Sequence, residues 1–299
     1  MRFGSHLPIG GGFAKTVADA LAAHCQCIQI FAGNPRAWRI APFDAPAWDS
    51  FRSARRRHGI APTVIHTSYL VNLASANADL RRKSAALVAH DLSVAATAGI
   101  EYVNTHLGSY ASSDCLAGLE RVTRTVAALV RGAPRGPMLL LENSAGAGAL
   151  CGAAIEELAV ILDRVNSKRV GVCLDTAHLW AAGYDISDAR GVASVLRLVE
   201  RHIGLNRVMA WHLNDTQVEL GSRRDLHWHI GRGRIGEAGF RALVRNRACA
   251  HACGICETPK PTERGFSNVG EVRRLAGDSQ AAGRVKRNIG GKARYAHGT

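Results

Sequence analysis

The chain has 299 residues, with 38 Lys plus Arg against 24 Asp plus Glu, a formal net charge of +14 and a sequence pI of about 10.0. At 47% hydrophobic residues it can bury a full core, and no run of eighteen apolar residues exists, so neither a membrane span nor a membrane partner is expected. The opening MRFGSHLPIG has one basic residue and no sustained apolar run, so no secretory signal is expected and the protein should be cytoplasmic. The positive excess favours a phosphate backbone as partner and says nothing about fold. Eight cysteines scattered over a long chain fit reduced thiols, and the lone CxxC of Cys253 and Cys256 is read as packing.

Short apolar, β-prone runs recur with helical stretches between them, the alternation of repeated strand and helix units around a parallel sheet. In chain order the expected strands are RFGSHL (2–7), CIQIFA (27–32), TVIHTS (63–68), YVNTHL (102–107), MLLLEN (138–143), VGVCLD (170–175), VMAWHLN (208–214) and GICET (254–258). Helices are expected over 77–98, 114–131, 153–164 and 190–202, several opened by Asn, Ser or Asp in capping positions. Eight such units match a single closed (β/α)8 TIM barrel, typically about 250 residues, better than an open sheet. The barrel is expected over residues 1–276. From 277 to 299 the chain turns basic and rich in small residues without an apolar period, and is expected to be a disordered tail.

The active site of such a barrel lies at the C-terminal ends of its strands. Strands three to eight run into His66, His106, Glu142, Asp175, His212 and Glu257 in turn, six metal-ligand residue types at six successive strand ends. His178 follows Asp175 by three residues. In GSRRDLHWHIGRG, Asp225, His227 and His229 alternate, so an extended chain would turn all three to one side. Imidazoles mixed with carboxylates suit zinc, manganese or iron(II) rather than magnesium or calcium. The six strand-end residues with His178, Asp225 and His227 make nine, more than one ion can use. Two or three ions sharing a carboxylate would suit in-line displacement at a phosphodiester.

The chain to about residue 275 resembles endonuclease IV, the zinc-dependent apurinic/apyrimidinic endonuclease family with a TIM-barrel fold. The motifs that carry the likeness are HTSYLVNL (66–73), NTHLGS (104–109), LENSAG (141–146), GVCLDTAHLWAAGYD (171–185), HLNDT (212–216), LGSRRDLHWHIGRGRIG (220–236) and CETP (256–259). The resemblance implies three Zn2+ ions, with Mn2+ an alternative at one site. It implies a first ion on His66, His106 and Glu142. Glu142 would bridge to a second on Asp175, His212 and Glu257, and His178, Asp225 and His227 would hold a third. Glu142 and Glu257 would be the catalytic carboxylates, Glu257 orienting or deprotonating the attacking water. The implied reaction is cleavage of duplex DNA on the 5′ side of an abasic site in base excision repair, leaving a 3′-hydroxyl and a 5′-deoxyribose phosphate, by a monomer. Arg36 in FAGNPRAW falls where the family places an arginine in the minor groove, and Tyr69 and Leu70 where it wedges into the gap.

The sequence departs from the family pattern in places. Leu107 stands where proline is usual, Trp228 replaces a common histidine, and His229 competes with His227 for the third site. Arg232 and Arg234 occupy positions that are more often Glu and Asn, and are expected to strengthen phosphate contact. Trp38 and Trp211 are expected to pack against the barrel. Two rival readings are kept. A sugar isomerase or epimerase would use one ion on Glu142, Asp175, His212 and Glu257, leaving the other five residues unexplained. A nucleic-acid-binding protein without chemistry would not need the ligand set.

Overall fold

The computed structural model describes residues 1–40, 42–111, 114–260 and 266–278. Eight strands, β1 (Arg2–His6), β2 (Cys27–Phe31), β3 (Thr63–His66), β4 (Tyr102–Thr105), β5 (Met138–Glu142), β6 (Val170–Asp175), β7 (Val208–His212) and β8 (Cys253–Cys256), close into one barrel in sequence order. Every neighbouring pair is parallel, β1 against β8 included. The helices are α1 (Phe13–Ala22), α2 (Ala45–Arg57), α3 (Ala78–Ala98), α4 (Cys115–Gly132), α5 (Ile155–Val165), α6 (Thr176–Ala182), α7 (Ala189–His202), α8 (Gly236–Val244) and α9 (Asn268–Ala276). Together they form the (β/α)8 fold expected from the alternation of runs. None of the described helices is long and apolar enough to cross a membrane.

Local chemistry sets the helix starts. Asn77 accepts from the backbone of Asp79 and Leu80 at the head of α3, Asp114 from Ala117 at α4, and Asp188 from Gly191 at α7. Each satisfies a donor that the first turn leaves without an intrahelical partner. Of the tail expected over 277–299, residues 279–299 lie outside the described residues. Gly277 and Asp278 belong to the fold, because Gly277 caps α9 in the left-handed region and Asp278 pairs with Arg273 at 2.6 Å.

Alternation of side chains along the strands positions the site. A small apolar layer, Cys27, Val64, Leu140, Cys173, Ala210, Cys253 and Ile255, is set apart from the main core and fills the barrel interior. Ile28, Ile65, Leu139, Leu141, Val172, Leu174 and Trp211 belong to the larger core that joins strands to helices. Two residues beyond the interior layer, the same parity gives Gln29, His66, Glu142, Asp175, His212 and Glu257. Asn104 stands at the equivalent rung of β4. A polar layer thus lies directly above an apolar one, at the mouth of the barrel.

Candidate metal centre

His66, Glu142, Asp175 and His212 are the last residues of β3, β5, β6 and β7; His106 and Glu257 each follow their strand by one residue. Glu142, 1% exposed, stands at the centre. Its Oε2 is 3.3 Å from His66 Nε2 and 3.8 Å from His106 Nε2, while Oε1 is 3.1 Å from His212 Nδ1. His212 Nδ1 lies 3.0 Å from Glu257 Oε2 and 3.8 Å from Asp175 Oδ2. On the far side, His227 Nε2 is 3.5 Å from Asp175 Oδ2 and 3.2 Å from Asp225 Oδ1, and His178 Nε2 is 3.3 Å from Asp225 Oδ2.

Among the described residues, donor atoms fall into three groups able to hold an ion: His66, His106 and Glu142; Glu142, Asp175, His212 and Glu257; and Asp175, His178 and His227. The groups share Glu142 and Asp175. Asp225, more than half exposed, approaches the same two imidazoles of the third group from the solvent side. Ligands at about 2.0–2.1 Å around a tetrahedral ion stand about 3.3 Å from one another. The separations here, 3.0 to 3.8 Å, are of that size.

The imidazole tautomers are set by carbonyl oxygens, which can only accept. His66 Nδ1 donates to Thr67 O at 2.7 Å, His178 Nδ1 to Asn143 O at 2.9 Å and His212 Nε2 to Gln29 Oε1 at 2.9 Å. His227 Nδ1 faces Glu257 O at 3.3 Å. In each ring the other nitrogen is left for the cluster, the arrangement that fixes a metal-binding histidine. His227 Nε2 is buried and makes no hydrogen bond although two carboxylates face it. The residues present fit divalent cations.

Electrostatics agrees with this geometry. Burial works against charge on Glu142, but His106, His212 and His66 around it hold its carboxyl well below the usual carboxylate range. Burial likewise disfavours the imidazolium of His178 and His227. Asp175 and Asp225 outweigh it, so that without metal these rings are pushed up to about 10 and about 9. His106 is lowered by burial, which Glu142 does not overcome.

Residue pattern did not single out the amides that orient the carboxylates. Gln29 Nε2 donates to Glu257 Oε1 at 2.5 Å, Asn104 Nδ2 to Glu142 Oε2 at 2.6 Å and Asn214 Nδ2 to Asp175 Oδ2 at 2.7 Å. Asn143 Oδ1 accepts from Asp175 N at 2.6 Å. The available signal was a polar amide at an inward strand position, as in CIQIF and YVNT. Asp175 also caps α6, its Oδ1 accepting from His178 N at 2.9 Å. The cap explains the spacing of three residues: one carboxylate starts the helix that presents His178.

Two expectations for the loops, those for His229 and Trp38, are corrected. His229 does not share a side with His227. The segment is not an extended strand, and His229 Nδ1 lies 3.2 Å from Asn268 Nδ2 with its ring edge-on to Phe266. Arg234 is paired with Glu219 and donates to Gln217 O, and Arg232 stacks over Phe266 at 3.9 Å; both residues are exposed. Trp211 is buried as expected, but Trp38 is 38% exposed.

Arg36 is exposed on the loop after β2, and Tyr69, 58% exposed, stands with half-buried Leu70 on the loop after β3. The two loops are joined at Pro35, whose carbonyl accepts from Ser68 Oγ at 2.7 Å and Tyr69 N at 3.1 Å. Tyr69 packs edge-on against Phe31 and its ring centre is 6.1 Å from that of His66.

Residues 17–279 match the family of xylose isomerase-like TIM barrels. Within it, the chain is 42% identical over 277 residues to a probable endonuclease 4 of Methanoculleus marisnigri, covering 92% of this chain and 98% of that one. A probable endonuclease 4 of Natranaerobius thermophilus is 39% identical over 279 residues, covering 93% and 98%. Crystallographic endonuclease IV from Thermus thermophilus superposes with a TM-score of 0.81 at 38% identity, over 93% of this chain and 98% of that one. The chain belongs to the endonuclease IV family. A D-tagatose 3-epimerase-like protein, 18% identical with a TM-score of 0.71 over 97% of this chain and all of that one, shares the fold alone.

Proposed function

We propose that this chain is a zinc-dependent apurinic/apyrimidinic endonuclease of base excision repair. It cleaves the phosphodiester 5′ to an abasic site in duplex DNA and leaves a 3′-hydroxyl and a 5′-deoxyribose phosphate. Family membership makes it a nuclease, a hydrolase acting on DNA. The finer reading is supported above all by the three donor groups linked through Glu142 and Asp175.

His66, His106 and Glu142 would hold one ion. Glu142, Asp175, His212 and Glu257 would hold a second, and His178, His227 and Asp225 a third with Asp175 beside them. Bound there, divalent ions lower the pKa of water and offset charge on phosphate oxygens. The protein's own groups do the rest. Glu257, positioned through Oε1 by Gln29, presents Oε2 to the cluster, where it can orient a water and take its proton. Asn104 and Asn214 keep the oxygens of Glu142 and Asp175 in place, so no ligand has to reorganise when substrate arrives. Arg36 and Tyr69 stand beside this mouth on joined loops, placed to enter a duplex where stacking is already lost.

An epimerase would need only Glu142, Asp175, His212 and Glu257, and would leave the imidazoles of His66, His106, His178 and His227 without a task. Metal analysis of purified zinc-loaded protein separates the readings. Three ions per chain supports the nuclease, one supports the epimerase, and none supports a binding protein that has lost its chemistry.

A further inference from the structure

His227 of the third group, and Asp225 beside it, lie on a long connection between β7 and α8 rather than at a strand end. Barrel geometry alone does not aim them. The chain around them is irregular, and the side chains of Asp225 and His227 are not packed into the core: Asp225 is 55% exposed and His227 21%. Something else must fix their position to within a few tenths of an ångström if they are to meet His178.

Asp215 is fully buried and belongs to none of the donor groups among the described residues. Its carboxylate accepts four backbone N–H groups. Oδ1 takes those of Thr216 at 2.8 Å and Ile235 at 3.0 Å, and Oδ2 takes those of Gly233 at 2.9 Å and Gly236 at 3.3 Å. Its own carbonyl accepts from Trp228 N at 2.6 Å, the residue next to His227. One residue therefore holds the connection at both ends, by main chain at 228 and by side chain from 233 to 236. A short carboxylate is the side chain with acceptors enough for four donors at this range. An amide in its place would turn a donor toward one pair of N–H groups. Gly233 is part of the same device, since a Cβ there would collide with Asp215 Oδ1 and with the Thr216 carbonyl.

We propose that Asp215 is a positioning residue for the third metal site, clamping the 225–236 connection so that Asp225 and His227 converge on His178. The proposal rests on the three-ion reading above. Asp215 acts through the loop and has no part in the chemistry.

The test uses Asp215→Asn and Gly233→Ala, which disturb the clamp from its two sides, alongside the parent protein. Each is loaded with zinc, equilibrated against a weak chelator and analysed for metal per chain, and hydrogen exchange is followed at the Trp228 and Ile235 amides. Both variants should keep two ions and bind the third about 10- to 100-fold more weakly. Exchange at the two amides should rise while that of β6 is unchanged. Parent-like affinity for all three ions in both variants overturns the proposal. So does loss of all three together with the barrel's far-UV circular dichroism, which would make Asp215 a determinant of the fold alone. A parent holding fewer than three ions would strike the three-ion reading instead, and unchanged loop exchange in the variants would then still refute the clamp.

Discussion

Glu142 faces His66 and His212 with different oxygens, Oε2 at 3.3 Å from His66 Nε2 and Oε1 at 3.1 Å from His212 Nδ1. A single buried carboxylate thus looks into two donor groups at once. It accepts from Asn104 Nδ2, and, against burial, His106, His212 and His66 around it hold its carboxyl well below the usual carboxylate range. Burying a carboxylate this deeply without a compensating partner would be costly, so bound cations would be coupled to the integrity of the mouth.

Glu257→Gln should lower the nicking rate at least about a hundredfold, the scale of a lost general base. The carboxylate receives Gln29 Nε2 on one oxygen and presents the other to the cluster beside His212, so an amide there would turn its NH2 either against Gln29 or toward the cluster in place of an acceptor oxygen. Far-UV circular dichroism should be that of the parent. A rate within a few-fold of the parent would remove Glu257 from the machinery.

Metal uptake at the third group should release protons. With His178 pushed up to about 10 and His227 to about 9 by Asp175 and Asp225 acting against burial, both rings are imidazolium in the metal-free protein near neutral pH. These are raised folded-state values. Their contribution to metal-free stability is complete below the ordinary histidine value of 6.5 and is lost as pH rises through about 9 and 10. Binding to neutral rings must then displace about two protons per chain below pH 9 and none well above pH 10. Calorimetry in buffers of different ionisation enthalpy measures this directly. Uptake without proton release at pH 7 would contradict the assigned ligands.

Asp91, on α3, is 8% exposed and lines a cavity of about 30 Å³ shared with His66 and Ser68 beneath the Arg36 loop. Burial raises its carboxyl from 3.8 to about 7. An acid raised in the folded state costs stability as pH climbs from the unfolded value to the folded one. Asp91→Asn should therefore stabilise the metal-free protein more at pH 8 than at pH 5, by about 2 to 3 kcal/mol. Urea unfolding at the two pH values gives the difference; an equal effect at both would show that the carboxyl is not so perturbed.

Much of this arrangement was legible in the chain. The short apolar runs that make TVIH, MLLLE and VMAWH strands also fix, through the two-residue repeat of strand side chains, which face His66, Glu142 and His212 present, because each stands two residues past an apolar inward position. Loop chemistry was not legible in the same way. Alternation in DLHWH suggests that His227 and His229 share a side, but Phe266 and Asn268, far along the chain, draw His229 away. Arg234 reads as a free cation until the fold brings Glu219 to it. Strand parity is a local property, whereas the aim of a loop depends on contacts distant in sequence.

Arg36→Ala should weaken discrimination between abasic and intact duplex by about tenfold, the scale of one lost groove contact. The change leaves Pro35 to hold the Tyr69 loop. Competition binding with the two duplexes measures it. Equal discrimination by variant and parent would take Arg36 out of lesion reading.

The most direct measurement is to incubate the zinc-loaded protein with a duplex carrying one abasic analogue and to map the ends on a sequencing gel. A single nick on the 5′ side of the lesion, with a polymerase-extendable 3′-hydroxyl, is the predicted result. No cleavage with three ions bound, or a nick on the 3′ side, would contradict it.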